Sequence, residues 1–250
     1  MAEVNARQIA EDLRRRIEAK EFAPGDRLPS ETQLMAEYGI KSKNVLKNAR
    51  ALLEAAGLIV SEHGRGVFVR RFKRYDRNGS RRHLRSQRPA DTSPTQAETQ
   101  AQDIERELVL VGVDTIPAPA DVAELLDVDE GTALVRRRHL ITLDGDPAQT
   151  ADSYFVATLV EGSRIARAEK IPGGVHAELA ALLGTALTRA EEILVARMPD
   201  QAEKQTLALL PGTPLVELTR TIYAGDQPVE VTRFLFDGSW HRFVYDVPMD

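Results

Sequence analysis

Residues 24–31 have the sequence PGDRLPSE, and residues 64–69 have the sequence GRGVFV. Proline followed by glycine interrupts a helix, so the first string ends the segment before it. Within that string Ser30 begins a capping box with Gln33, which predicts a helix over residues 30–38. The second string places a glycine-rich turn between two short apolar strands, at 58–60 and 67–69, and so predicts a β-hairpin.

Two more helices complete this region. Apolar residues recur every fourth position from Ile9 to Ile17, which predicts an amphipathic first helix. After a turn at residues 39–41, Ser42 is expected to cap a third helix with an apolar face at Leu46, Ala49 and Leu53. Helix, helix, turn, helix and hairpin follow one another as in a winged helix-turn-helix, a fold that docks on DNA.

The charge of the chain is divided unevenly along its length. The total is -5, but residues 1–90 carry 20 Lys and Arg against 11 Asp and Glu, whereas residues 91–250 carry 13 against 27. A basic N-terminal part on an acidic remainder favours a polyanionic partner for the basic part alone. A basic surface that only aids solubility is the alternative.

The predicted DNA contacts are the exposed face of the third helix, the tip of the hairpin and polar residues around the start of the second helix. Arg65 stands at the tip, where a guanidinium can enter a minor groove. The full predicted set is Arg27, Ser30, Thr32, Ser42, Lys43, Asn44, Lys47, Asn48, His63, Gly64, Arg65 and Gly66.

The sequence predicts three parts: a DNA-binding domain at 1–71, a basic and polar linker at 72–103 and a second domain at 104–250. Residues 70–88 hold nine Arg or Lys and one acid, Asp76. Such a run repels itself and lacks apolar periodicity, which favours an extended conformation. It is interpreted either as a solvated linker or as an arm that contacts phosphates.

The second domain shows alternating strands and helices. Strands are predicted at 133–143, 147–156, 190–198, 214–223, 228–236 and 241–247, and helices at 120–127, 174–183 and 199–208. The string GTALV at 131–135 recurs as GTPLV at 212–216, a shift of 81 residues that also relates Pro147 to Pro228. We therefore expect two copies of one helix and hairpin unit, a mostly antiparallel sheet and a small-ligand site between the copies.

Several polar residues of this domain are candidates for ligand binding. Arg136 and Arg138 share one strand face and could hold an anion, or could form an ion network with acids such as Asp152 or Glu230. Glu230 and Thr232 share a face and could bond a hydroxyl group, although a surface pair is the simpler interpretation. His176 lies at a helix start, where backbone N–H groups can bind an anion.

Composition and motifs exclude several classes of function. The chain has no cysteine, which removes disulfides and thiolate metal sites and fits a reducing compartment. No secretion signal or membrane-spanning segment is indicated, so we expect a cytoplasmic protein without membrane contact. The five histidines lack ligand spacing and no catalytic motif is present, so no metal, cofactor or catalytic residue is expected.

Residues 5–70 resemble the winged helix-turn-helix of GntR-family transcription regulators. The resemblance rests on PGDRLPSE at 24–31, Gly57-Leu58 and GRGVFV at 64–69. In the third helix Lys43, Val45 and Lys47 stand where the family usually has Arg, Thr and Arg. Because lysine lacks the planar two-point donor of arginine, this departure implies a different operator.

Residues 105–246 resemble the UTRA effector domain of the HutC-like branch, a chorismate-lyase-like sheet that binds small molecules. The resemblance rests on Leu126 to Gly131, Arg136 to Arg138, DGDP at 144–147, Tyr154, Ile171-Pro172, Pro211-Gly212 and Pro228 to Glu230. It implies an α+β chain with a winged helix-turn-helix before that sheet. The effector contacts that the resemblance implies are Arg136, Arg138, Tyr154, Gly174, His176, Glu230, Thr232 and Phe236.

The expected function is a homodimeric regulator, a repressor of transcription, on a pseudo-palindromic double-stranded DNA operator, controlled by a small-molecule effector. One alternative is a constitutive DNA-binding protein whose second domain only dimerises. Another is an enzyme with the chorismate-lyase-like fold, which the lack of an acid and base constellation disfavours.

Overall fold

A computed structural model of the chain describes residues 4–71, 74–80, 82 and 94–247. The chain divides into two compact units. The first comprises Met1–Lys73 and Leu209–Thr213, and the second comprises Arg74–Ala208 and Pro214–Asp250.

The first unit is a winged helix-turn-helix, as predicted. Its elements are α1 (Ala6–Glu18), α2 (Glu31–Glu37), α3 (Lys43–Ala55), β1 (Ile59–Glu62) and β2 (Gly66–Val69). Asn5 and Ser30 each form a capping box with a glutamine three residues later, which fixes where α1 and α2 begin. The apolar faces of the three helices meet in one core that includes Ile9, Leu13, Leu34, Leu46 and Leu53.

The second unit contains a six-stranded antiparallel sheet with helices on both faces and a separate pair of strands. Its strands are β3 (Tyr75–Asn78), β4 (Arg106–Pro117), β5 (Ala133–Leu143), β6 (Asp146–Val156), β7 (Arg189–Arg197), β8 (Leu215–Ala224), β9 (Gln227–Asp237) and β10 (His241–Val244). Its helices are α4 (Pro94–Ala101), α5 (Ala120–Leu126), α6 (Ala157–Val160), α7 (Val175–Leu183) and α8 (Gln201–Thr206), with a 3₁₀ turn at Arg164–Ala166. The large sheet has the order β4-β5-β6-β9-β8-β7, and β3 pairs with β10 in parallel.

The two halves of this sheet repeat one structural unit. Each has the order strand, helix, strand, strand: β4, α5, β5 and β6, then β7, α8, β8 and β9. The shift of 81 residues found in the sequence also separates the starts of α5 and α8, at Ala120 and Gln201. Each hairpin changes register after an isoleucine, at Ile141 and Ile222, again 81 residues apart. The halves join at β6 and β9, so β4 and β7 are the corresponding outer strands.

Alternation along the strands divides the side chains between two faces of the sheet. We call the face with Arg137, Ser153 and Thr232 the front, and the face with Arg136 and Tyr154 the back. Helix α7 packs on the front, where Leu179 shares a core with Val135, Phe155 and Ile222. Helix α5 packs on the back, where Val122 and Leu126 share a core with Leu134, Tyr154 and Val231.

The segment predicted as a linker contains regular structure. Within residues 72–103, β3 and α4 belong to the second unit, and Tyr75 is buried in its core. Arg77 and Arg82 are buried as well, paired with Glu192 and Glu98. The expectation of a solvated run fails here because Glu192, 115 residues away, pairs with Arg77, and Glu98 on α4 pairs with Arg82. Residues 72, 73, 81 and 83–93 of the expected linker lie outside the described residues.

Candidate DNA-binding surface and effector site

Helix α3 presents a row of exposed polar side chains. Its core positions face α1 and α2, so Lys43, Asn44, Lys47 and Asn48 are left exposed. Val45 instead packs against the core, which removes it from that exposed row. Ser42 precedes the helix as predicted, but its side chain makes no capping hydrogen bond, contrary to the cap inferred from the sequence.

The start of α2 lies close to α3 and carries a carboxylate between two cations. Glu31 lies 3.4 Å from the Lys43 Nζ and 3.4 Å from the Arg50 Nη1. Thr32 is exposed beside it, while the hydroxyl of Ser30 accepts the Gln33 N–H at 3.3 Å to begin the helix. Glu31 therefore orients the basic side chains of α3 and offsets part of their charge.

The wing is the hairpin of β1 and β2, with an exposed tip at His63, Gly64 and Arg65. The Arg65 guanidinium lies 5.7 Å from the Phe68 ring centre and pairs with Glu62, yet its side chain is 74% exposed. The backbone of Arg27 forms an isolated β-bridge with Phe68, and the guanidinium of Arg27 lies against Gly66, whose φ is +124°. A Cβ at Gly66 would lie only 2.6 Å from the Arg27 Nε, so glycine leaves room for that arginine.

Two exposed or partly exposed basic residues near this surface were missed from the sequence. Lys41 is exposed in the turn before α3, and Arg71 follows the wing with its guanidinium against Gly25. The position of Lys41 in the predicted turn at residues 39–41 was a signal for it. Nothing in the sequence pattern indicated that residue 71 folds back beside residue 25.

The candidate effector residues fall on opposite faces of the sheet. Gly174, His176, Glu230, Thr232 and Phe236 belong to the front, whereas Arg136, Arg138 and Tyr154 belong to the back. The cause is the two-residue period of a strand, because Arg136 pairs with Tyr154 while the next row pairs Arg137 with Ser153. The structure therefore does not bring the eight residues into one site.

The front face holds a buried polar cluster centred on Glu230, which we call the Glu230 cluster. Its carboxylate accepts hydrogen bonds from Thr232 and from the Arg220 Nη2 at 3.1 Å, and its Oε2 lies 2.9 Å from the His176 Nε2. Thr232 and Ser153 share a hydrogen bond of 2.8 Å across the join of the two halves. Burial alone would raise the pKa of Glu230, but the charges and hydrogen bonds of His176, Arg220 and Thr232 hold it well below its ordinary range.

Three members of this front-face row were missed from the sequence: Ser153, Arg220 and Glu192. Together with Thr232 they form one row across four neighbouring strands. Ser153 pairs with Thr232, Thr232 pairs with Arg220, and Arg220 pairs with Glu192. Glu192 in turn accepts from the Arg77 Nη1 at 2.9 Å. The register that aligns four strands was not available from the sequence alone.

Arg137 extends the same row on the front face, but its contacts are structural and hold a loop against the sheet. It is 2% exposed, and its guanidinium donates to the carbonyl oxygens of Ile165 at 2.8 Å, Arg167 at 2.6 Å and Glu169 at 3.0 Å. These bonds tie the loop after the 3₁₀ turn to the sheet. Burial lowers the pKa of Arg137, and the nearby charge of Glu169 offsets part of that effect.

The back-face arginines form the ion network that was one of the two predicted interpretations, but with a different acid. Arg136 donates to Asp114 on β4 at 3.0 Å from its Nε, and the Arg138 Nη2 lies 3.9 Å from the same carboxylate. The hydrogen bond from Arg136 lowers the pKa of Asp114. Asp152 lies nearby and burial raises its pKa, while Tyr154 is packed against α5.

Two front-face candidates occupy different surroundings. Gly174 precedes α7 with a φ of +85°, and that turn places His176 beside Glu230. Phe236 is 1% exposed, and its ring packs against His241 and Phe243 with centres 4.6 and 5.2 Å away. Its ring is therefore part of the core and not open to a ligand.

Among the described residues, no group of His, Cys, Asp and Glu is arranged to hold a metal ion. The described helices are likewise too short or too polar to cross a membrane.

A winged helix-turn-helix with an exposed basic row, joined to a separate sheet unit that carries a polar cluster, is the arrangement of a transcription regulator with a DNA-binding unit and a second unit. Residues 5–69 match the model of the bacterial regulatory proteins of the gntR family, and residues 101–242 match that of the UTRA domain. The chain belongs to the GntR family, in the HutC-like branch that carries a UTRA effector-binding domain.

Relatives match over most of their length. An uncharacterised regulator of Streptomyces coelicolor is 30% identical over 89% of this chain and 84% of its own. The histidine utilization repressor of Pseudomonas putida is 25% identical over 94% of this chain and 88% of its own. A crystal structure of a GntR-family regulator superposes with a TM-score of 0.66 at 25% identity, covering 98% of both chains. PhnF of Mycobacterium smegmatis shares the fold, with a TM-score of 0.59 at 20% identity over 97% of this chain and all of its own.

Proposed function

We propose that this regulator is a cytoplasmic repressor that binds a pseudo-palindromic operator as a homodimer. The observation that carries the proposal is the exposed basic row of α3 beside an exposed wing arginine, on a unit whose core is independent of those side chains. Similarity to the histidine utilization repressor supports repression. Two copies related by a two-fold axis would place their α3 helices in successive major grooves of one operator.

A gel shift with the DNA upstream of its own coding region tests this proposal. Lys47→Ala and Arg65→Ala each remove one exposed cation from the predicted interface, and Lys170→Ala removes one from an exposed site in the second unit. We expect weaker operator binding for the first two and unchanged binding for the third. Affinity for the operator should also fall steeply with salt, because cations on the protein displace counterions from phosphate. Equal affinity for upstream and random DNA would refute the proposal.

The proposed effector site is the front face around the Glu230 cluster. His176 is partly exposed there, with 22% of its side chain accessible, and it connects the surface to the charged and hydroxyl groups of Glu230 and Thr232, which lie buried behind it. The cluster also spans the join between the two halves, through Ser153 and Thr232. A ligand that binds one arrangement of the halves more tightly than another would change operator affinity by that difference.

A thermal-shift screen with polar metabolites, including organic acids and sugars, tests the site. A ligand at 100 times its Kd stabilises the protein by about 2.7 kcal/mol. Thr232→Ala should abolish that stabilisation, while Thr219→Ala, on the back face of β8, should keep it. An active metabolite must then alter the gel shift. A hit that binds both variants equally would place the effector elsewhere.

We propose no catalytic activity. Glu230, the most enclosed carboxylate of the cluster, is held ionised by His176 and Arg220, an arrangement suited to binding. A constitutive regulator whose second unit only dimerises is the competing proposal, and a screen without any stabilising metabolite would favour it.

A further inference from the structure

Strand β7 forms an open edge of the six-stranded sheet. Its nine residues pair with β8 in continuous register, from Arg189 with Tyr223 to Arg197 with Leu215. Among the described residues, no strand pairs with its other side. A long regular edge leaves a row of backbone N–H and C=O groups able to pair with another strand.

The middle of β7 is apolar and exposed on both faces of the sheet. Ile193 is 51%, Leu194 is 36% and Val195 is 52% exposed. Successive side chains point to opposite faces, so an element that lay on one face would cover only one set. A strand added at the edge bonds the free backbone and brings its own side chains beside both sets. These exposures therefore favour a strand as the occupant.

The sequence of β7 is complementary to itself in one antiparallel register. With Leu194 opposite Leu194 of a second copy, Ile193 lies opposite Val195, and Glu191 lies opposite Arg197 at both ends. Centring the pair on Ile193 instead places Arg189 opposite Arg197, which repel each other. Centring it on Val195 places Ile193 opposite Arg197. Only the register on Leu194 among these three joins apolar residues at the centre and opposite charges at the ends.

The corresponding edge strand β4 differs in a way that blocks this use. It also exposes apolar side chains, with Val111 57% exposed, but its pairing with β5 shifts between Leu110 and Gly112. Such a bulge twists a strand and interrupts its outer row of backbone groups, a common protection of sheet edges. Strand β7 pairs with β8 with no such interruption.

We propose that β7 pairs antiparallel with β7 of a second copy, centred on Leu194, so that two six-stranded sheets join at this edge. The proposal rests on the homodimer proposed above and assigns its surface. The two Glu191 to Arg197 pairs then lie across the junction. Arg197 is already oriented by its own Glu203 and Glu217, at 2.6 and 2.8 Å.

A cysteine cross-link tests the register, because the chain has no cysteine of its own. Residues directly opposite in an antiparallel pair have Cα atoms roughly 4.5–5.5 Å apart, within the range of a disulfide. Leu194→Cys in the full-length protein should therefore form a disulfide-linked dimer under mild oxidation. Val111→Cys, an exposed apolar position on the opposite edge, is the matched control and should remain uncross-linked on a non-reducing gel.

The dimer dissociation constant tests the two proposed Glu191 to Arg197 pairs. Glu191→Arg should raise the dimer dissociation constant at least tenfold in sedimentation equilibrium, whereas Glu130→Arg, the same change in an exposed turn, should not.

If wild type is dimeric but Leu194→Cys does not cross-link, or Val111→Cys cross-links equally, the β7 surface is refuted and the homodimer stands. If wild type is monomeric at micromolar concentration, both are refuted. Operator binding is measured separately and can succeed in either case.

Discussion

His241 should make the second unit less stable in mild acid. The residue is 7% exposed and packed among aromatic rings, with its Nδ1 donating to the Asp237 carbonyl at 3.0 Å. Burial, together with the nearby charges of Arg77 and Arg82, lowers its pKa from 6.5 to about 4. Above pH 6.5 the ring is neutral in both the folded and unfolded chains. Between pH 6.5 and 4 only the unfolded chain gains the proton, so stability falls as pH decreases.

The magnitude follows from that difference in pKa. Each pKa unit corresponds to 1.36 kcal/mol, so the lowering from 6.5 to about 4 predicts a loss of about 3 kcal/mol in the free energy of unfolding when the pH falls from 7.5 to 4. His241→Phe keeps an aromatic ring but removes the titration. Its cost at neutral pH is about 1 kcal/mol for the lost hydrogen bond.

Urea unfolding can measure this effect in the intact protein. The chain has one tryptophan, Trp240, which packs against the same core beside His241, so its fluorescence reports on this unit. The difference in unfolding free energy between wild type and His241→Phe should shift by about 3 kcal/mol in favour of the variant between pH 7.5 and 4. His139, whose burial lowers its pKa to about 4 as well, is common to both proteins and cancels. A difference that stays constant over this range would refute the reasoning.

Three contacts in the two units can each be tested by a single substitution. Tyr38→Phe removes a 2.6 Å hydrogen bond to Asp12 and should lower the stability of the first unit by about 1–2 kcal/mol, measured by circular dichroism; a loss below about 0.3 kcal/mol would contradict it. Gly66→Ala should weaken operator binding more than Gly64→Ala, since both glycines have positive φ but only the first meets Arg27; equal gel shifts would refute that role. Arg220→Met leaves Glu230 buried with less compensation and should cost about 3 kcal/mol in the Trp240 assay, whereas wild-type stability would show that the pair contributes little.

The sequence predicted most of the elements because their signals are local. A capping box, a Pro-Gly break or two hairpins with alternating apolar residues each depend on a few adjacent residues. The predicted strands and helices of the sheet unit agree with the structure within about two residues for most elements. The basic run was misinterpreted because charge composition contains no information on partners. Arg77 meets an acid 115 residues away, which only the folded sheet brings near.

The Glu230 cluster, which is the proposed effector site, was predicted only in part, for the same reason. The alternation of side chains correctly places Arg136 and Arg137 on opposite faces of the sheet. It cannot show which residues of the neighbouring strands lie beside each of them. Glu230 and Thr232 were found because they are two residues apart on one strand. Arg220 and Ser153 join them through strand register, and Arg136 pairs with Asp114 on β4, a strand that was not predicted from the sequence.

The bulge in β4 has a consequence for the size of any assembly. A unit made of two similar halves has two similar ends, and if both could accept a strand, copies would add without limit into a filament. The interruption at Val111 closes one end. In the proposed dimer, the two-fold pairing of β7 occupies the other. Growth then stops at two copies, the number that a two-fold symmetric stretch of DNA can accommodate.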